Sequence, residues 1–123
     1  MIRIICIGNR FAYPDNFGIV VYKKLKQLKL NNIEVVEGGI GGLNLMPYFE
    51  DDAKILIVDW GEGKKIQTNE DIKKLNVNEF NHSNAFLYLL KSIDKKYTIY
   101  VCSERFDNLD KYVDEILTIA KGL

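Results

Sequence analysis

The sequence predicts an α/β domain, a three-layer α/β/α sandwich around a mostly parallel sheet of the phosphorylase/hydrolase-like kind. Three observations predict it. Short β-branched apolar runs alternate with stretches of helical periodicity along all 123 residues. The clearest of those runs, Lys54 to Val58, is short, continuous and β-branched, with four apolar residues after its lysine, as a strand buried on both faces should be. Helices between successive strands imply parallel pairing with right-handed crossovers. With no linker, repeat or low-complexity tract, residues 1–123 read as one domain.

Each element has its own signal. Ile2 to Ile7 is a β-rich run closed by the turn signal Gly8-Asn9. Phe17, Val20, Val21, Lys24, Leu25 and Leu28 recur at helical spacing and predict a helix from Phe17 to Leu30, ended by Asn31-Asn32. Ile33 to Glu37 is a second strand, stopped by Gly38-Gly39. Leu43 to Phe49 reads as a short helix, and Glu50-Asp51-Asp52 as the turn before the strand Lys54 to Val58. Lys65 to Thr68 is an edge-strand candidate, and Asn69 to Leu75 a polar or helical turn. A helix is expected from Ser83 to Ile93, a strand from Tyr97 to Cys102, and an amphipathic helix from Leu109 to Ala120.

Composition removes several function classes. Seventeen basic and 17 acidic residues leave a formal net charge of zero, against a nucleic-acid binder. No apolar run approaches the roughly 18–20 residues of a membrane span, so no membrane insertion is expected. The amino terminus reads as a first strand and not as a signal peptide. Cys6 and Cys102 sit in strand-like runs and read as reduced core thiols of a cytoplasmic protein. The single histidine, His82, excludes a zinc site needing two or three. Neither G-x-G-x-x-G, G-x-x-x-x-G-K-[ST] nor G-x-S-x-G occurs in its required place, against dinucleotide, P-loop and nucleophile-elbow chemistry.

In parallel sheets ligands sit beyond the carboxyl ends of the strands. Asp15 lies after the first strand, Asp59 directly after the central one, and His82 before the later helix, with Glu62 and Glu104 as outer candidates. Two carboxylates and an imidazole can bind a divalent metal with positions left for substrate, or act as a general acid/base set. Each also has a structural reading. Asp15 could cap the Phe17 helix, Asp59 could bond the next turn, and His82 could belong to a helix cap. The glycines Gly38, Gly39, Gly41 and Gly42 suit positive φ or a tight turn, and could let a peptide backbone come close.

Taken in order, these segments resemble the hydrogenase maturation proteases over roughly residues 2–93. The pieces are Ile4-Ile5-Cys6-Ile7-Gly8-Asn9 with Asp15 and Gly18 downstream, Glu37-Gly38-Gly39-Ile40-Gly41-Gly42-Leu43-Asn44-Leu45, Ile55-Leu56-Ile57-Val58-Asp59, and His82 opening a leucine-rich helix. The resemblance implies an endopeptidase that removes the carboxy-terminal extension of a nickel-loaded hydrogenase large-subunit precursor. It implies Asp15, Asp59 and His82 as the catalytic and metal-contacting residues, and Gly38, Gly39, Ile40, Gly41 and Gly42 as the substrate loop. The nickel would be sensed in the substrate, with no intrinsic cofactor and only transient binding of a divalent metal. The expected partner is the precursor, and the expected state a monomer.

The chain also departs from the family pattern. Pro14-Asp15 replaces a pair of acids, Ile40 a threonine, and Cys102-Ser103-Glu104-Arg105 a Gly-Ile-x-Pro segment. A non-catalytic paralogue that binds a precursor or accessory protein is therefore the alternative. A receiver-like or flavodoxin-like domain would fit the length. It would need an acidic pair after the first strand and a lysine after the last, and has neither.

Overall fold

The computed structural model describes residues 1–75 and 85–123. Among these, β1 (Ile2–Cys6), β2 (Ile33–Glu37), β3 (Lys54–Trp60), β4 (Ile66–Thr68) and β5 (Tyr97–Cys102) form one sheet in the order β2-β1-β3-β5-β4. The first four in that order run parallel, and β4 pairs antiparallel to β5 at the edge. The helices are α1 (Phe17–Lys26), α2 (Asn69–Lys73), α3 (Ala85–Ser92) and α4 (Leu109–Lys121), with a 3-10 turn at Leu43–Phe49.

Side chains on a strand alternate between faces, so a strand buried on both sides is apolar throughout. Ile5, Ile55, Ile57, Ile99 and Val101 pack beneath the 3-10 turn, α2 and α3 through Leu45, Phe49, Ile72, Leu89 and Leu90. Ile4, Cys6, Leu56, Val58 and Tyr100 pack on the other face, beneath Phe17, Val21 and Leu25 of α1 and Tyr112, Val113, Ile116 and Ala120 of α4. Two helical layers around the sheet follow directly from that alternation. The exception in β1 is Arg3, buried at the amino end of the sheet. Its guanidinium donates to both oxygens of Asp51 (2.9 and 2.8 Å), to Glu34 (3.1 Å) and to the Tyr48 carbonyl (2.7 Å). It ties β2 and the end of the 3-10 turn to β1 with charge-assisted bonds.

Several boundaries differ from the sequence expectation. α1 ends at Lys26 and not at Leu30, because Leu28 finds no core and stays 39% exposed. Its last turn tightens through Gln27 N–H to Lys24 O and Leu28 N–H to Leu25 O. The segment from Leu43 to Phe49 is 3-10 and not α-helical, with Pro47 inside it lacking the N–H an α-helix needs there. β3 runs two residues beyond Val58, because β5 offers a ladder partner as far as Asp59↔Val101 and Trp60↔Cys102. The first two residues of the expected Ser83–Ile93 helix lie outside the described residues.

This topology positions the site. β1 passes the chain to α1 on one face, and its neighbour β3 passes it to α2 and α3 on the other. The two exits diverge and open a crevice between the carboxyl ends of β1 and β3, where ligands of open parallel sheets bind.

Candidate functional site

The crevice holds a cleft of about 420 Å3 whose lining includes Asn9, Asp15, Ile40, Asp59, Trp60 and Phe86. Asp15 arrives there by a tight excursion between β1 and α1. Asn9 N–H donates to the Asp15 carbonyl (3.0 Å), and Gly8 N–H to the Gly39 carbonyl (2.8 Å). The excursion must end on glycine. A Cβ at Gly18 would stand 2.0 Å from the Ile7 carbonyl oxygen, so only Gly lets α1 begin this close to β1. The cap residue of α1 is Asn16, which makes no side-chain cap bond, and the Phe17 N–H goes to the Pro14 carbonyl. Asp15 is therefore not the helix cap. Its exposed carboxylate remains on the cleft wall.

Asp59 comes from the other side, as the last residue but one of β3. Its Oδ1 accepts the Trp60 N–H at 2.8 Å. Burial pushes its carboxyl up to about 7, the negative charge of Asp15 pushes the same way, and the Trp60 N–H opposes both. Among the described residues no lysine or arginine offsets it. A carboxylate left this way is available to a cation that a ligand brings.

The glycine segment forms the third wall. Gly38 N–H donates to the Cys6 carbonyl (2.7 Å), which fastens the segment to the end of β1. Gly41 has φ +86°, and a Cβ there would lie 2.6 Å from the Phe86 ring, so the turn needs glycine for both conformation and space. Gly39 also turns through positive φ, and between the two Ile40 is lifted out, 69% exposed on the cleft rim.

The outer acids separate. Glu62 borders a smaller adjoining hollow that also touches Asp59. The Glu104 carboxylate instead takes the Tyr112 hydroxyl (2.6 Å), and its carbonyl takes the Trp60 indole N–H (3.1 Å). Glu104 thus anchors the β5–α4 connection to the end of β3. His82 lies outside the described residues. Among the described residues no three His, Cys, Asp or Glu side chains gather to hold a metal ion, so Asp15 and Asp59 stand as a pair.

Sequence reasoning passed over Asn9, Trp60 and Phe86 as wall residues. Phe86 carried only a helical-periodicity signal, which does not say which end of the helix meets a cleft. A hollow of about 500 Å3 at the opposite end of the sheet is lined in part by Lys54, Lys95 and Lys96. Two of these lysines are spent on backbone carbonyls, Lys54 on Leu123 and Lys95 on Asp51. No helix among the described residues is long and apolar enough to cross a membrane.

Comparison with known proteins agrees with this architecture. The model of a family described as hydrogenase maturation protease matches residues 19–118. Among solved structures, the hydrogenase maturating endopeptidase HybD from E. coli superposes with a TM-score of 0.72 at 18% identity, over 96% of this chain and 88% of that one. The hydrogenase 2 maturation peptidase from a Thaumarchaeota archaeon does so with 0.62 at 19% identity, over 98% and 96%. The [NiFe] hydrogenase maturation protease HycI from Thermococcus kodakarensis gives 0.60 at 20%, over 98% and 90%. At such identities these likenesses show the fold. No curated protein sequence matches the chain.

Proposed function

The chain belongs to the hydrogenase maturation protease family, and from that premise we propose that it is an endopeptidase that removes the carboxy-terminal extension of a nickel-loaded hydrogenase large-subunit precursor. The observation that carries the reading is the meeting of Asp15 and Asp59, from two different strand exits, in one cleft at the switch point of the sheet.

The two acids supply oxygen donors to the nickel that the precursor already holds, and His82 supplies the nitrogen donor. Two oxygens and one nitrogen satisfy a borderline divalent ion incompletely, so the precursor's own ligands complete its coordination. The ion arrives as part of the substrate, and the enzyme needs no resident cofactor. An unloaded precursor brings no cation to offset the two carboxylates, one of them half-buried, and is bound poorly. Loading is thereby read before cutting. Once the precursor is seated, the segment Gly38, Gly39, Ile40, Gly41 and Gly42 borders its backbone. The acids then hold or pass the proton that hydrolysis of the scissile bond requires. The buried free thiols Cys6 and Cys102 suit a reducing compartment, and the reading places the enzyme in the cytoplasm as a monomer.

The test is incubation with the nickel-loaded and the nickel-free precursor of the same organism, scoring loss of the carboxy-terminal tail by mass. The expected result is cutting of the loaded form alone. Stable binding of the loaded precursor without cutting would instead make the chain a non-catalytic holder.

A further inference from the structure

Among the described residues, β2 forms one edge of the sheet and pairs only with β1. The bonds Ile2 N–H to Asn32 O (3.0 Å) and Gly38 N–H to Cys6 O (2.7 Å) bracket that ladder and set its parity. In a parallel ladder alternate residues turn both backbone groups to the same side. Glu34 and Val36 therefore turn theirs to β1, while Ile33, Val35 and Glu37 turn theirs outward. Among the described residues, the backbone groups of those three make no hydrogen bond.

An edge of this kind is normally blunted by free charge, a bulge or a cover. Here the two charged side chains of β2 are neutralised, Glu34 by Arg3 at 3.1 Å and Glu37 by Arg10 at 2.6 Å. At its carboxyl end the edge opens into a hollow of about 460 Å3 bordered by Glu37, the glycine segment and Asn44. Ile40 lines both that hollow and the cleft of Asp15 and Asp59. The edge hollow and the cleft thus adjoin at Ile40. The opposite edge, β4, has three residues and runs the other way.

We propose that β2 receives the precursor as an added strand. An extended segment of the precursor's carboxy-terminal region hydrogen-bonds to the outward backbone groups of Val35 and Glu37 and is led past the glycine segment to the two acids. Main-chain bonding of this kind supplies affinity with little demand on side-chain identity. β2 is five residues long, enough for a contact of about 16 Å. The identity of the peptide rests on the endopeptidase reading above; the edge itself does not.

Val35→Pro tests it, because proline there deletes an outward N–H and fills the place of the added strand while breaking no bond to β1. With nickel-loaded precursor as substrate, KM should rise roughly tenfold, the worth of one or two lost hydrogen bonds, with kcat within about twofold. A folded Val35→Pro enzyme with unchanged KM would overturn the proposal. Hydrogen exchange on the wild-type chain gives a second measurement that needs no variant to fold. The Val35 and Glu37 amides should become protected when the loaded precursor is added, and lack of protection in the bound complex overturns the proposal. Protection that appears without cutting would uphold the edge and remove the endopeptidase reading alone.

Discussion

At the amino ends of the strands, Arg3 is 6% exposed and meets two carboxylates and a carbonyl, leaving, among the described residues, only its Nε without a partner. At the carboxyl ends, the carboxylate of Asp59 has, among the described residues, one backbone N–H and the like charge of Asp15 for company. The same sheet thus draws charge away from water twice, at a buried Arg3 that is neutralised and at a half-buried Asp59 that has no cationic partner among the described residues. Burying an unpaired charge costs stability that a structural role would not require. The difference separates an end that holds the fold together from an end that waits for something to bind.

The sharpest way to break this comparison is substitution at both ends under one assay. Asp59→Asn, and separately Asp15→Asn, should lower cutting of the nickel-loaded precursor by about 100-fold or more with the fold intact. Arg3→Met should leave turnover per folded molecule unchanged, as tail loss and circular dichroism would show together. Denaturant unfolding should then find Arg3→Met less stable by about 2 kcal/mol. That is below the 3–5 kcal/mol of a fully buried broken pair, because Asp51 and Glu34 are 51% and 42% exposed.

Acidity separates the ends further. Asp59 has its carboxyl raised from 3.8 to about 7, so its contribution to stability is full below about pH 4 and is lost as pH rises through 7. The Arg3 guanidinium holds the Asp51 carboxyl well below the usual range, so its contribution is present above about pH 4 and lost in acid. Melting temperatures across pH 3–8 should show both limbs. Asp59→Asn should flatten the neutral limb and melt above the wild type at pH 8, while Asp51→Asn flattens the acid one. The smallest effect is expected at Trp60→Phe, which removes the indole bond to Glu104 and costs about 1 kcal/mol in thermal unfolding.

Much of the fold was legible because strand and helix periodicities are local. The runs at Ile2–Cys6, Ile33–Glu37 and Tyr97–Cys102 were read within a residue, and α4 began where its apolar stripe begins. Where reading failed, the cause was contact with another segment. Residue type puts Asp59 directly after a strand, yet it lies within one, because the length of β3 is set by β5. Asp15 carried a capping alternative that only the bonds of Asn16 and Pro14 remove. Glu104 stood among rim acids until Tyr112 and Trp60 accounted for it. His82, the third member expected from the resemblance, lies outside the described residues.

By itself the sequence determined the α/β class, the strand and helix order, the family resemblance and the acids worth testing. Those depend on residue type and spacing along the chain. Tertiary structure decided the strand order β2-β1-β3-β5-β4, the divergence of the exits from β1 and β3 and, among the described residues, the half-buried Asp59 without a cationic partner and the open backbone edge of β2. Each of these is a relation between segments distant in sequence, and charge and hydrogen bonding act through space.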